Sequence, residues 1–305
     1  MCYALTAYYM HQHRCENERS TIMQEPRLRQ VRGDGLTLQL AEWPGAGQTI
    51  VCIHGLSANC RWWDTVAAGL APQHRVLALD LRGRGRSDKP VTGYSLAHHG
   101  RDLAALLDDL SLQRVVLMGH SLGAFIATAC AARYPERVAR VILVDGGGQL
   151  SAEQAAKVLA GVQPSVDRLG RVFPSWQASL DYLQQALPVR PWLPALEIPY
   201  RYDSEEVEGG VRCLVQLAHI QEEIAHFSQE DITSLYTGIR CPVLILRATE
   251  GMFTADDLLL PDDVVAQMLR AMPHATCVPI PACNHYTIVF CDSAVRDQAL
   301  QQFLV

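Results

Sequence analysis

From Arg27 onward, apolar and polar residues alternate in blocks that read strand, turn, helix, repeated. Two segments of period-two alternation, Arg27 to Arg32 and Leu36 to Trp43, flank Gly33-Asp34-Gly35. Glycine there admits positive φ, and the pattern predicts a β-hairpin. Short runs rich in Val, Ile and Leu follow at 49–53, 76–81, 115–118, 141–144, 243–246 and 276–280. Runs without polar alternation suit strands covered on both faces. Helical stretches separate them. One starts at the capping residue Ser95 and reaches Leu110, with Leu96, Leu103, Leu106, Leu107 and Leu110 forming one apolar face. A second covers 122–134 and stops before Pro135, a third covers 261–272, and the last covers 292–303. This order predicts an α/β fold: a doubly wound, mostly parallel sheet with helices on both faces and right-handed crossovers.

One region breaks the rhythm. Between Gly148 and about Ile239 the strand pattern disappears, and helical stretches at 151–159, 175–187 and 211–227 alternate with loops around Pro188, Pro191, Pro194 and Pro199. The expected organisation is therefore a sheet domain built from 25–148 and 239–305, with a helical lid at 149–238 inserted into it. Residues 1–24 read as a flexible tail.

Composition narrows the function. With 49% hydrophobic and 19% charged residues in 305 positions, the chain has ample material for a packed core. A net charge of −6 argues against nucleic acid, because phosphate binding needs clustered Lys and Arg. No apolar stretch is long enough to span a bilayer, so no membrane partner is expected. The ten cysteines are scattered and form no CxxC pair, which points to a reducing compartment, the cytoplasm. The N-terminus lacks the features of a secretory signal, and Met23 is a candidate natural start. His11, His13 and Cys15 lie close together there, but no second ligand cluster accompanies them and no metal is expected. Oligomeric state leaves no mark on the pattern.

The chemistry concentrates at a few positions. Gly119-His120-Ser121-Leu122-Gly123 follows an apolar run and opens a helix, the context in which G-x-S-x-G presents a nucleophile. A serine hydroxyl is a poor nucleophile unless it is exposed beside a base. A sharp strand-to-helix turn exposes it but crowds the residues two before and two after, where Gly119 and Gly123 stand. His285 follows the last strand and is C-terminal to Ser121, as a base in the order Ser, acid, His must be. His54-Gly55-Leu56 ends the strand 49–53. The amides of Leu56 and Leu122 are the expected oxyanion donors, each typically worth about 3 kcal/mol of barrier. His54 is expected to hold the loop and not to move protons. His98 and His99 are expected on an exposed helix start.

These residues, together with Asp80-Leu-Arg82-Gly83-Arg84-Gly85-Arg86-Ser87, resemble the α/β-hydrolase superfamily from about Leu36 to the C-terminus. The 80–90 segment is similar to that family's D-x-R-G-x-G-x-S loop. The resemblance implies that Arg82, Arg84 and Arg86 are structural or solvated and form no phosphate site. It also exposes a departure. Most relatives carry the triad acid shortly after the strand corresponding to 243–246, where this chain reads Ala248-Thr249-Glu250-Gly251, with glycine at the usual position. Some dehalogenases and lactonases of the superfamily place the acid at the end of the strand after the nucleophile helix, where Asp145 stands. Asp145 is the preferred acid and Glu250 the alternative.

Trp62 and Trp63, and His120 beside the nucleophile, are expected to border the substrate. From the lid, Phe173, Trp176, Trp192 and Leu217 are the expected lining. The resulting expectation is a cofactor-free serine esterase or lactonase acting on a medium-sized, mostly apolar small molecule through an acyl-enzyme. Two alternatives stay open: a carbon–carbon hydrolase of vinylogous diketones, for which Arg190, Arg201 and Arg212 are the only hints of a carboxylate site in the lid, and a non-catalytic ligand-binding homologue.

Overall fold

The structure is a computed structural model that describes residues 25–305. The expected tail, with His11, His13, Cys15 and Met23, lies outside the described residues. Eight strands form one sheet: β1 (Arg27–Arg32), β2 (Thr37–Trp43), β3 (Thr49–Ile53), β4 (Arg75–Leu79), β5 (Val115–His120), β6 (Val138–Val144), and, beyond the inserted segment, β10 (Val243–Ala248) and β11 (Ala275–Ile280). Their spatial order is β1-β2-β4-β3-β5-β6-β10-β11. The hairpin β1–β2 and the pair β2–β4 are antiparallel, and every other pairing is parallel.

The apolar runs explain this sheet directly. Side chains alternate between faces along a strand, so Ile50, Cys52, Val116, Met118, Ile142 and Val144 join one core. Val51, Ile53, Val115, Leu117, Val141 and Leu143 join the other. Helices α1 (Asp64–Leu70), α2 (Leu96–Asp109), α3 (Leu122–Arg133) and, later in the chain, α9 (Asp262–Ala271) and α10 (Ala294–Phe303) cover the two faces. Helix α3 is buried at ten of its twelve positions because it lies under both the sheet and its neighbours.

The segment 149–238 corrects one expectation. It does contain strands: β7 (Val172–Phe173), β8 (Ser204–Val207) and β9 (Gly210–Cys213) form a small antiparallel sheet. The predicted helix from Val211 starts only at Leu217. The backbone before it is paired into the β8–β9 hairpin, whose Gly209 and Gly210 adopt φ of +87° and +141°. Strands of two to four residues are too short to show a periodic pattern. The helices of this segment are α4 (Ala152–Asp167), α5 (Trp176–Ala186), α6 (Glu197–Tyr202), α7 (Leu217–Phe227) and α8 (Thr233–Tyr236). Helix α4 runs past its expected end at Leu159 and contains Pro164.

His99 is a second correction. It is fully buried, and its Nε2 meets Glu223 Oε1 at 2.6 Å. Glu223 also pairs with Arg84, so a buried charge cluster ties α7 to the 80–90 loop and to α2. Among the described residues, no helix is long and apolar enough to cross a membrane. Nor does any group of three or more His, Cys, Asp or Glu among them form a candidate metal site.

Candidate active site

The carboxyl ends of β3, β5, β6 and the loop after β11 converge on one point. Ser121 sits between β5 and α3 with φ 56° and ψ −123°, a conformation L-residues rarely adopt. The bend that carries it can close because glycine stands two positions away on either side. A Cβ on Gly119 would lie 2.0 Å from the carbonyl oxygen of Gly123, and one on Gly123 would lie 2.0 Å from that of Ile53. The turn therefore closes around two residues without side chains and leaves the serine hydroxyl projecting.

His285 Nε2 lies 3.0 Å from Ser121 Oγ, and its Nδ1 lies 2.9 Å from Asp145 Oδ2. Asp145 caps the end of β6 with a positive φ of 44°, and its Oδ1 accepts the Ala248 N–H at 3.0 Å. Both His285 and Asp145 are buried. Glu250, the alternative acid, is exposed and lines a separate surface cleft with Arg190 and Phe253. Asp257 points away as well, because its oxygens accept the Met252, Phe253 and Thr254 amides at 2.6, 2.8 and 3.2 Å.

The loop carrying His285 is held by a residue without a motif of its own. Asn284 Oδ1 accepts the amides of Tyr286 and Thr287, both at 3.0 Å, while its Nδ2 donates to Pro188 O at 2.6 Å. His120 supports the same loop: its Nε2 donates to His285 O at 2.9 Å, and its ring stacks on that of His285 at 4.6 Å. Burial, reinforced by neighbouring His285, holds His120 well below the usual histidine range, so it stays neutral and its unpartnered Nδ1 is an acceptor.

The Leu56 loop is built from behind. His54 Nδ1 donates to Gly55 O at 2.7 Å and Nε2 accepts the Leu81 N–H at 3.1 Å. Burial above all pushes the His54 imidazole down to about 3, so it remains neutral and joins the 54–56 loop to the 80–90 loop. Arg84 Nε donates to Leu56 O at 3.0 Å. Arg82 is locked by two bonds to Asp102, of 2.7 and 2.8 Å. Asp80 accepts the Cys60 and Arg86 amides and the Tyr202 hydroxyl at 2.6, 2.8 and 2.8 Å. Of the three arginines, only Arg86 is exposed.

A cavity of about 40 Å³ opens beside Ser121 and His285. Leu56, Trp62 and His120 line it, and Leu122 is buried directly after the nucleophile. Trp62 packs against His120 and Phe290, with ring centroids 6.1 and 4.7 Å apart. The other predicted lining residues are elsewhere. Trp63 is fully buried in the core beneath the loop, since consecutive residues of a helical turn cannot face the same way. Phe173, in β7, packs at a tilt against Tyr182 of α5, Trp176 lies under Arg201, Trp192 packs on the sheet-domain core, and Leu217 is 39% exposed. Instead the inserted segment supplies Val162, Ser165, Val166 and Tyr200, and Tyr286 completes the wall. Tyr286 was discoverable by adjacency to His285. The others carry no local signal, because their placement depends on how α4 and α6 dock.

The family model for the alpha/beta hydrolase fold matches residues 48–290. The chain belongs to the α/β-hydrolase family. It is 29% identical over 253 residues to the 2-(acetamidomethylene)succinate hydrolase of Mesorhizobium japonicum, spanning 82% of this chain and 86% of that protein. It is also 29% identical over 254 residues to a Klebsiella pneumoniae protein named carbamate hydrolase RutD, an assignment its name marks as provisional; 82% of this chain and 90% of that one are covered. Among solved structures, an E-2-(acetamidomethylene)succinate hydrolase superposes on this α/β hydrolase with a TM-score of 0.80 at 26% identity, covering 92% of this chain and 99% of that one.

Proposed function

We propose that this α/β hydrolase cleaves a carboxylic acyl bond of a small molecule through a covalent acyl-enzyme on Ser121. One observation carries the reading: a continuous line from Ser121 Oγ through His285 Nε2 (3.0 Å) and His285 Nδ1 to Asp145 Oδ2 (2.9 Å). Ser121 attacks the carbonyl carbon, and His285 takes its proton and returns it to the leaving group. The Asp145 carboxylate fixes the imidazole tautomer and stabilises the imidazolium that forms. The Leu56 and Leu122 amides receive the oxyanion, and Leu122, first in α3, has an N–H with no intrahelical partner. Water, activated by His285, then releases the acid. No step calls for a metal or organic cofactor.

The bond broken is read as an ester or lactone, with a second reading favoured by the relatives. Two of them are named for an acetamido compound and a carbamate, which directs attention to acyl–nitrogen bonds. The segment 149–238 acts as the lid, since it closes one side of the cavity with α4 and α6. The free cysteines among the described residues accord with a cytoplasmic setting.

Mixing the protein with p-nitrophenyl acetate tests the mechanism. A burst of one equivalent of nitrophenol and a mass increase of one acetyl group on the Ser121 peptide are expected. Ser121→Ala should stay folded by circular dichroism and lose ~10,000-fold in kcat. Full turnover by that variant would refute the mechanism, and wild-type protein inert towards esters, amides, lactones and diketones alike would favour the non-catalytic reading.

A further inference from the structure

Three hydroxyl side chains share the cavity with the nucleophile: Ser165, Tyr200 and Tyr286. None is more than 5% exposed. Ser165 Oγ lies 2.9 Å from Tyr286 OH, and Tyr200 lines the same wall. Three hydroxyls carry three protons. One is used in the Ser165–Tyr286 bond, so O–H donors remain to be offered to a bound acceptor.

The charge next to the cluster is positive. Arg168, on the turn that ends α4, is buried, with its guanidinium 5.0 Å from the Tyr200 ring centroid. It donates to Ser57 O at 3.0 Å and to Asp203 Oδ2 at 3.4 Å, and its Nε has no partner. Asp203 is thus a loosely held counter-ion, and it shares Oδ2 with the Cys213 thiol at 3.0 Å. Burial pushes the Tyr200 hydroxyl up to about 12, so it stays a proton donor, while Arg168 pulls in the opposite direction. Neutral donors backed by a guanidinium favour an anionic acceptor over a neutral or cationic one.

We propose that Ser165, Tyr200 and Tyr286 form a carboxylate subsite, so that the substrate bears a free carboxylate a few bonds from its scissile carbonyl. The inference rests on the acyl-enzyme reading of Ser121 for the position of that carbonyl. Ser121 and the three hydroxyls line one cavity, so the spacer between the two groups is short. The substrate is then a short dicarboxylic acid derivatised at one end, and not the mostly apolar ester that the sequence leads one to expect.

The test compares two esters of equal chain length, p-nitrophenyl hydrogen glutarate and p-nitrophenyl valerate. For the wild type, kcat/KM should be at least about tenfold higher for the glutarate, chiefly through KM. Tyr286→Phe and Ser165→Ala should each lower that preference about fivefold or more, and Ser165→Thr, which keeps a hydroxyl, should restore it. Equal kcat/KM for the two esters in the wild type overturns the subsite, as does an equal loss on both esters in the variants. Should neither ester turn over, titration calorimetry with free glutarate separates the two ideas. Binding weakened about tenfold by Tyr286→Phe upholds the subsite although the acyl-enzyme reading fails; no binding to the wild type overturns it.

Discussion

The loops at the carboxyl edge of the sheet and the inserted segment 149–238 border the same cavity but are built by different rules. Each edge loop is constrained by its own neighbours in sequence. Ser121 needs glycine two positions away on both sides, His54 holds the carbonyl of the residue that follows it, and Asn284 captures the two amides beyond His285. The inserted segment reaches the cavity by docking. Ser165 arrives because α4 continues through Pro164, and Tyr200 because α6 packs against the turn 60–63. Chemistry is thus set locally and the shape of the pocket globally, so reaction type and substrate class should respond to different substitutions.

The largest effect is expected at the edge loops themselves, at the acid. Asp145→Asn should cost about 1,000- to 10,000-fold in kcat with little change in KM, while Glu250→Gln stays within about twofold, as steady-state kinetics on one reporter ester would show. Equal losses in both would remove Asp145 from its place. The next effect is structural. Gly123→Ala forces a Cβ to within 2.0 Å of the Ile53 carbonyl oxygen and should cost more than ~4 kcal/mol of stability, or abolish folding, in urea denaturation.

The contact between the two regions supplies a third prediction. Glu223 in α7 pairs with Arg84, which in turn holds the Leu56 carbonyl. Glu223→Gln leaves Arg84 buried without its counter-charge and should cost about 3 kcal/mol. Burial alone would raise the Glu223 carboxyl, but Arg84 and His99 outweigh it and hold it at about 2, below its ordinary 4.5. A depressed carboxyl stabilises the fold above pH 4.5, and that contribution is lost as pH falls towards about 2. The variant should accordingly show a flatter loss of stability across that window in acid titration followed by circular dichroism. The smallest effect is expected inside the inserted segment, away from the cavity. Phe173→Ala removes a ring that packs on Tyr182 and should change kcat/KM by less than about threefold. A larger change would mean that β7 approaches the substrate during turnover.

The central strands were legible because they are buried on both sides, and a buried strand in a parallel sheet has few apolar alternatives to Val, Ile and Leu. All eight strands of the sheet and four of the five helices that cover it fall within a few residues of the pattern; α1 was not read from it. The short strands β7–β9 were not legible, since pairing between two to four residues is decided by partners and not by period. Aromatic residues misled in the inserted segment: Phe173, Trp176 and Trp192 are large and apolar wherever they pack, so their type does not say which surface they cover. The serine and tyrosines that do reach the cavity are ordinary in sequence.

What the amino-acid sequence determined alone is the α/β layering and the presence of a hydroxyl on a tight bend, because periodicity and the lack of a Cβ act over a few residues at a time. Only the tertiary structure set Asp145 and not Glu250 beside His285, buried His99, and brought Ser165, Tyr200 and Tyr286 to one wall. Those outcomes depend on distances between atoms far apart along the chain. They follow from how the rigid elements pack, which no local pattern encodes.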